Sequence, residues 1–470
     1  MSPRALLNLP MNISAILSPA PKVFLAALLL LASAAFLSAA AVLPAAERGV
    51  VGDGETLNTA AIQKLIDEAS AQGGGTVVFS AGRYVTGTIQ LKDGVTLRLE
   101  AGAVLLGSTR AADYRNLDPF TAGDGVPLGY ALIVADGAKN VGIEGTGTID
   151  GRGREVKAAQ TPYNVRPFLM RWLRCTNVTV KDVQLTNPGA WTLNFFQSHN
   201  ITVERVTIRT RATGLANNDG IDLDSCDGAV IRDCDIDSGD DALCFKATSP
   251  LPSRSITVTN CKLSTKCNGI KLGTESLGGF ENISVTGCTL TNIGMAGIAL
   301  YEVDGGDLRR VSISDITMDG VSVPISIRLG ARLKVFRPGD QPKPVGTLRD
   351  VTIKNVRATG ARMIGLLING VPGHPVENLT FENIEIAVPG GGTTEQAKIE
   401  LAEKESAYPE FSMFGRVLPA SGIYLRHARD VTFKNVRTTP AQPDARPETI
   451  FLDVEGVTPA AFAPAGVAKN

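Results

Sequence analysis

The sequence predicts an all-β fold, a single-stranded right-handed parallel β-helix, and three observations predict it. First, a short unit recurs along most of the chain, in which a turn residue precedes an alternating apolar strand. Examples are Asn140-Val141-Gly142-Ile143, Asn177-Val178-Thr179-Val180, Asn200-Ile201-Thr202-Val203 and Asn282-Ile283-Ser284-Val285, and the unit persists to Asp430-Val431-Thr432-Phe433. Its steps between residues 177 and 282 are about 23 to 29 residues, a period that marks a stacked-repeat architecture. Second, another strand recurs within each turn, as Gly220-Ile221-Asp222-Leu223, Ala242-Leu243-Cys244-Phe245, Gly269-Ile270-Lys271-Leu272 and Gly297-Ile298-Ala299-Leu300. Its period of two buries one face and exposes the other. Third, no amphipathic-helix pattern separates these strands, which excludes helical and leucine-rich repeats.

The ends differ from the repeat. Lys22 precedes the apolar run Val23 to Leu37 and the small residues Ser38-Ala39-Ala40-Ala41. That order is the pattern of a secretory signal, too short for an ordinary membrane span. Residues 1–46 are therefore expected to be leader, 47–455 the solenoid and 456–470 a loose tail, with Met11 an alternative start and an uncleaved anchor the alternative to cleavage. The segment from Asn58 to Ala69 has helical spacing, with Asn58 or Thr59 as N-cap and Gly73-Gly74-Gly75 as its stop. Such a helix would close the open end of the solenoid. Strands are expected around Thr76–Phe79 and Thr86–Leu91, and surface insertions near residues 331–347 and 390–415.

Composition narrows the function class. Of 470 residues 20% are charged and the net charge is −1, which gives no footprint for nucleic acid. The seven cysteines, at 175, 226, 234, 244, 261, 267 and 288, match no zinc spacing. Several fall in strand positions, so they are expected to be small core residues rather than disulfides.

The chemistry concentrates in two acidic clusters one turn apart, Asn217-Asn218-Asp219-Gly220-Ile221-Asp222 and Ser238-Gly239-Asp240-Asp241-Ala242-Leu243. An Asp-rich corner in a solenoid is ordinarily a backbone cap. Two such corners in succession instead place three carboxylates together, where repulsion separates a protonated acid from an ionised base. Calcium ligation is the rival reading of the same cluster. Taking Ile221, Leu243, Ile270, Ile298 and Ile325 as equivalent inward positions aligns the outward ones. The first outward column is Asp222, Cys244, Lys271, Ala299 and Ser326. The second is Asp224, Lys246, Gly273, Tyr301 and Arg328, and Asn268 falls at the next corner after Asp241. Glu275, Glu302 and Asp304 follow the exposed face and suit either binding sugar hydroxyls or, the reading preferred, the solvated rim. Trp191 suits either sugar stacking or packing, and His199 suits a structural turn.

From Gly49 to Leu452 the chain resembles glycoside hydrolase family 28, the polygalacturonases and their relatives. The resemblance is carried by Gly147-Thr148-Ile149-Asp150-Gly151, Asn187-Pro188-Gly189-Ala190-Trp191, the Asn218-Asp219 cluster and Gly239-Asp240-Asp241. It implies an inverting hydrolase, with Asp240 as general acid and Asp219 and Asp241 activating water. Two motifs of that family are absent: Cys267-Asn268-Gly269 stands where a His is usual, and Ala299-Leu300-Tyr301 stands where an Arg and a Lys hold a uronate. Lys271 and Arg328 are expected to supply displaced positive charge, or else to be solvated, in which case the sugar there carries no carboxylate. The expected substrate-binding set is Asn218, Asp222, Lys246, Asn268, Lys271, Tyr301, Arg328 and His374, the last from an overhanging loop.

The leading expectation is an exported, monomeric hydrolase of pectic or related polysaccharide, periplasmic or extracellular, with no cofactor or resident metal and no stable membrane insertion. A calcium-dependent polysaccharide lyase and a non-catalytic carbohydrate-binding solenoid are the alternatives.

Overall fold

The computed structural model describes residues 41–460. The leader pattern over residues 1–40 and the tail over 461–470 lie outside the described residues. Within them the chain winds as a parallel β-helix in which each turn supplies up to three strands. The turn made of Phe168–Leu173, Thr176–Lys181 and Gln184–Thr186 stacks on Leu193–Phe196, His199–Glu204 and Thr207–Arg209. Register pairs Met170 with Leu193, Val178 with Ile201 and Leu185 with Ile208, all parallel.

The alternating pattern explains the core. Val178, Ile201, Ala229, Ile256, Ile283 and Val311 follow one another in register and form one inward column, each at most 3% exposed. Asn177 and Asn200 turn the corner before this column with φ of 57° and 53°, a left-handed conformation that Asn tolerates better than most residues. Their side chains stack as well: Asn200 Nδ2 donates to Asn177 Oδ1 at 3.0 Å, and Asn177 Nδ2 to Asn140 Oδ1 at 2.8 Å.

The closing helix α1 (Thr59–Ala71) is present. It buries Ile62, Leu65, Ile66 and Ala69 and packs on strands Gly75–Phe79 and Ile89–Leu91. Asn58 occupies the N-cap position but makes no cap bond. Its amide instead accepts from Val51 N (2.8 Å) and donates to Val51 O (2.9 Å), pinning the entering chain. The strand expected at Thr86–Leu91 is two strands, Gly82–Thr86 and Ile89–Leu91, with a corner between them. Both ends of the coil extend past 47–455. Ala41–Pro44 pairs with Gly75–Val78 inside the expected leader, and Thr458–Ala460 pairs with Thr432–Lys434 inside the expected tail.

The seven cysteines are unpaired. Cys234, Cys261 and Cys288 recur on successive turns and each points its thiol at the carbonyl two residues before it, at 3.4, 3.4 and 3.6 Å. The main segments that leave the coil are residues 115–126, whose strand Arg115–Thr121 pairs antiparallel with Pro127–Asp136, residues 151–167 with the short helix Gly153–Ala158, the loop 330–346 and the loop 389–422.

Candidate active site

One sheet of the coil carries the site. Its strands are β1 (Leu193–Phe196), β2 (Ile221–Asp224), β3 (Leu243–Ala247), β4 (Ile270–Ser276), β5 (Thr289–Glu302), β6 (Asp307–Leu329), β7 (Leu366–Asn369) and β8 (Ile423–Pro440). The aligned columns hold: Ile221 pairs with Leu243, Leu243 with Ile270, Ile270 with Ile298 and Ile298 with Ile325. They fail at one place. The register shifts between Phe245 and Ala247, so Lys246 does not face Gly273. A glycine in an outward strand position was the sole sequence signal of that irregularity.

The acidic corners precede β2 and β3. Gly220 N donates to Asp241 O at 2.8 Å and Ala242 N to Asn268 O at 2.9 Å. Asp219, Asp241 and Asn268 therefore form one column on consecutive turns, about 4.8 Å apart. Asp240 lies one residue further out, opposite Asn218, whose carbonyl accepts from Asp240 N at 3.3 Å. Gly220 is required in this stack: a Cβ there would lie 2.4 Å from Ala242 O.

Above the column opens a cleft of about 340 Å³. Asp219, Asp240, Asp241, Lys246, Asn268 and Lys271 line its floor with Glu275. Trp191 and Met295 flank them, Ala122 and Asp124 come from the hairpin, and Tyr408, Pro409 and Glu410 come from the long loop. Asp241 is the most tightly held. Its Oδ1 accepts from Asn268 N (3.0 Å) and Nδ2 (2.7 Å), and its Oδ2 meets Lys271 Nζ at 2.7 Å. Asp240 is half-buried, with its oxygens accepting from Asn217 N (3.2 Å) and Asp241 N (2.9 Å). Lys246 Nζ stands 3.5 Å from Asp219, 3.6 Å from Asp222 and 3.5 Å from Glu275, and 4.4 Å from the Trp191 ring centre.

These surroundings grade the carboxyls. Burial, then the Asp222 and Asp240 carboxyls, drive Asp219 well above the usual range. Burial pushes Asp222 up to about 8 against the opposing Lys246 ammonium and a hydrogen bond with Asp219. Burial, then Asp241, raises Asp240. Burial would raise Asp241 too, but Lys271 and then Lys246 outweigh it and hold the group ionised. Burial is likewise outweighed at Glu275, where Lys246, Lys271 and Arg332 bring the carboxyl down to about 2. Five carboxyls thus face two ammoniums. Three of these carboxyls are shifted upward and two downward.

Several expected contacts fall elsewhere. Asn218 is fully buried and donates to Ala190 O at 3.1 Å, so it braces the corner instead of reaching a ligand. Asp222 lies behind the floor with no exposure. Tyr301 is buried with its hydroxyl on Ser326 Oγ at 3.1 Å. Arg328 points away from the cleft: its guanidinium donates to Gly370 O (2.9 Å), Glu403 O (3.1 Å) and Lys404 O (3.1 Å). Beyond Asn369 in the same column, Arg426 binds Leu401 O (2.7 Å) and Ala402 O (3.1 Å). The two arginines clamp the loop that carries Tyr408 and Glu410. His374 is exposed in a tight turn, bridged to Val371, and does not line the cleft.

The residues placed on the rim are also corrected. Glu275, Glu302 and Asp304 are 4%, 0% and 0% exposed. Glu275 joins the floor and accepts from Gly123 N at 2.7 Å. Asp304 is gripped by Arg332 at 2.8 and 2.6 Å. Trp191 packs on Phe120 and Phe168, as one of its readings expected, and also lines the cleft.

A parallel β-helix with a proton-graded carboxyl cluster in an open cleft defines a class, the solenoid enzymes that work by acid–base chemistry. Residues 81–407 match the model of the glycosyl hydrolases family 28, and the chain belongs to that family. It is a glycosidase that hydrolyses O-glycosyl bonds. It is 27% identical over 361 residues to a probable polygalacturonase of Vitis vinifera, covering 72% of each chain. It is 26% identical over 354 residues to an endo-polygalacturonase of Pectobacterium carotovorum, covering 70% of this chain and 84% of the relative. The solved family 28 exopolygalacturonase of Yersinia enterocolitica shares the fold with a TM-score of 0.70 at 20% identity, over 88% of this chain and 78% of that one.

Proposed function

We propose that this protein is an exported hydrolase of pectic polysaccharide that inverts the anomeric centre, with Asp240 as acid and Asp241 as base. The observation that carries this reading is the unequal pairing of two adjacent carboxyls that line one cleft: Asp241 is ion-paired with Lys271 at 2.7 Å, whereas Asp240 receives two backbone N–H bonds, and the first is shifted downward and the second upward. Asp240, facing the cleft with a proton, donates it to the leaving glycosidic oxygen. Asp241, ionised by Lys271, takes a proton from water as that water attacks the anomeric carbon. Asp219, one turn below with its carboxyl shifted upward by burial, orients the water.

One oxygen of Asp240 lies within 4.8 Å of one of Asp241, closer than the roughly 6.5–9.5 Å usual for inversion. Inversion therefore rests on the ligation of Asp241. Three donors occupy its oxygens, which suits accepting a proton better than attacking carbon. The relatives named as polygalacturonases support a pectic substrate. The leader pattern supports export, and among the described residues no helix is long and apolar enough to cross a membrane.

The test is cleavage of a pectic oligosaccharide panel, with the product anomer read by NMR within the first turnovers. The opposite configuration to the substrate is expected. A retained configuration would overturn the inverting assignment. Full activity in Asp240→Asn would overturn the acid.

A further inference from the structure

The cleft floor has no unpaired positive charge. Lys246 and Lys271 are the cations that line it, and they are 4% and 6% exposed. Lys271 is committed to Asp241 at 2.7 Å. Lys246 is shared by Asp219, Asp222 and Glu275. The basic groups just behind the walls turn donors to protein oxygens, and of these Arg332 is paired with a carboxylate. Arg332 is held by both oxygens of Asp304, Lys334 donates to Gly123 O at 3.0 Å, and Arg166 binds Ala216 O at 2.7 Å and Asn217 Oδ1 at 2.8 Å. The walls meanwhile add the acidic side chains of Asp124 and Glu410.

A sugar bearing a free carboxylate would set another anion against Asp241 and Glu275 with no counter-ion, the arrangement that buried sites avoid. A sugar without one meets no such cost. Met295, Ala122 and the Tyr408 ring give it apolar wall for its C–H faces.

We infer that the subsite over Lys246 and Lys271 selects a sugar with no free carboxylate, either a neutral sugar or a uronate capped as its ester. This rests on the hydrolase reading and names the substrate class of the same cleft. Glu275 is the specificity-determining side chain, because it takes up the Lys246 charge that a uronate would otherwise use.

The experiment compares length-matched oligogalacturonides, fully methyl-esterified and fully de-esterified, together with oligosaccharides of neutral pectic side chains. The native protein gives kcat/KM, and the Asp240→Asn variant gives binding by calorimetry. At least tenfold preference for an esterified or neutral ligand is expected in both readouts. Glu275→Gln should shrink that preference severalfold by raising affinity for the free acid. Equal or better use of the free acid by the native protein overturns the inference and leaves the hydrolase reading standing. Selective binding of esterified or neutral ligand without cleavage of any upholds the inference and overturns the hydrolase reading. Binding of none overturns both.

Discussion

Lys271→Met removes the ammonium that lies 2.7 Å from Asp241 Oδ2 while keeping much of the side-chain volume. The two side chains are 7% and 3% exposed, so solvent screens the pair little. Deleting one member of a buried pair costs about 3–5 kcal/mol, because the survivor is left as an uncompensated charge. Asp241 keeps its bonds from Asn268 and the field of Lys246, which places the expected loss at the low end, about 3 kcal/mol by denaturant titration at neutral pH. The loss depends on pH. Asp241 is held below its unfolded value, so its contribution to stability is present above that value and disappears as pH falls through the folded one. The deficit of the variant should therefore shrink in acid.

Catalysis should move with it. Without Lys271 the Asp241 carboxyl titrates higher, and the rising limb of kcat/KM moves to higher pH. If the limb moves by about one pH unit, activity on its acid side falls about tenfold. The double variant Lys271→Met with Asp241→Asn removes the orphaned charge, so it should recover stability without recovering activity. Native stability together with the native pH limb in Lys271→Met would refute the role given to this pair. So would a loss of activity that is equal at every pH with the limb unmoved, because Lys271 would then act on substrate instead of on Asp241.

Three other outcomes follow from the same geometry. Asp240→Asn should lower kcat by about 10²–10⁴ with the fold intact by circular dichroism, since the single Asn Oδ1 still accepts one of the two N–H bonds, from Asn217 or from Asp241. Asp222 is raised to about 8 in the fold, so it weakens the folded state progressively as pH climbs from its unfolded value toward 8; Asp222→Asn should raise Tm at pH 8 and leave it unchanged near pH 3. Arg328→Ala should free the wall loop at Glu403 and Lys404, raising KM more than it lowers kcat and exposing residues 399–410 to protease. Arg328→Lys should not rescue it, because one ammonium cannot span three carbonyls.

The lateral register of the sheet was legible because strand alternation has a period of two, and a slip by one residue would expel every core side chain. This is why Ile221, Leu243, Ile270, Ile298 and Ile325 align from sequence alone. The same register, with Ile221 beside Leu243, places Asp219 beside Asp241. The direction of long side chains was not legible. Arg328 sits beside Tyr301 in register, yet its guanidinium goes to loop carbonyls some 75 residues away in sequence. Glu275 read as a rim residue because no local pattern announces that Gly123 will come down on it.

By itself the sequence determined the coil, its capping helix and the presence of the acidic column. Those depend on short-range periodicity and on corner residues that tolerate left-handed backbone. Only the tertiary structure decided which carboxyls are shifted upward and which cations are already paired. Protonation here depends on burial and on charges a few ångströms away, and the groups supplying both come from separate turns, the hairpin near residue 123 and the loop near residue 408.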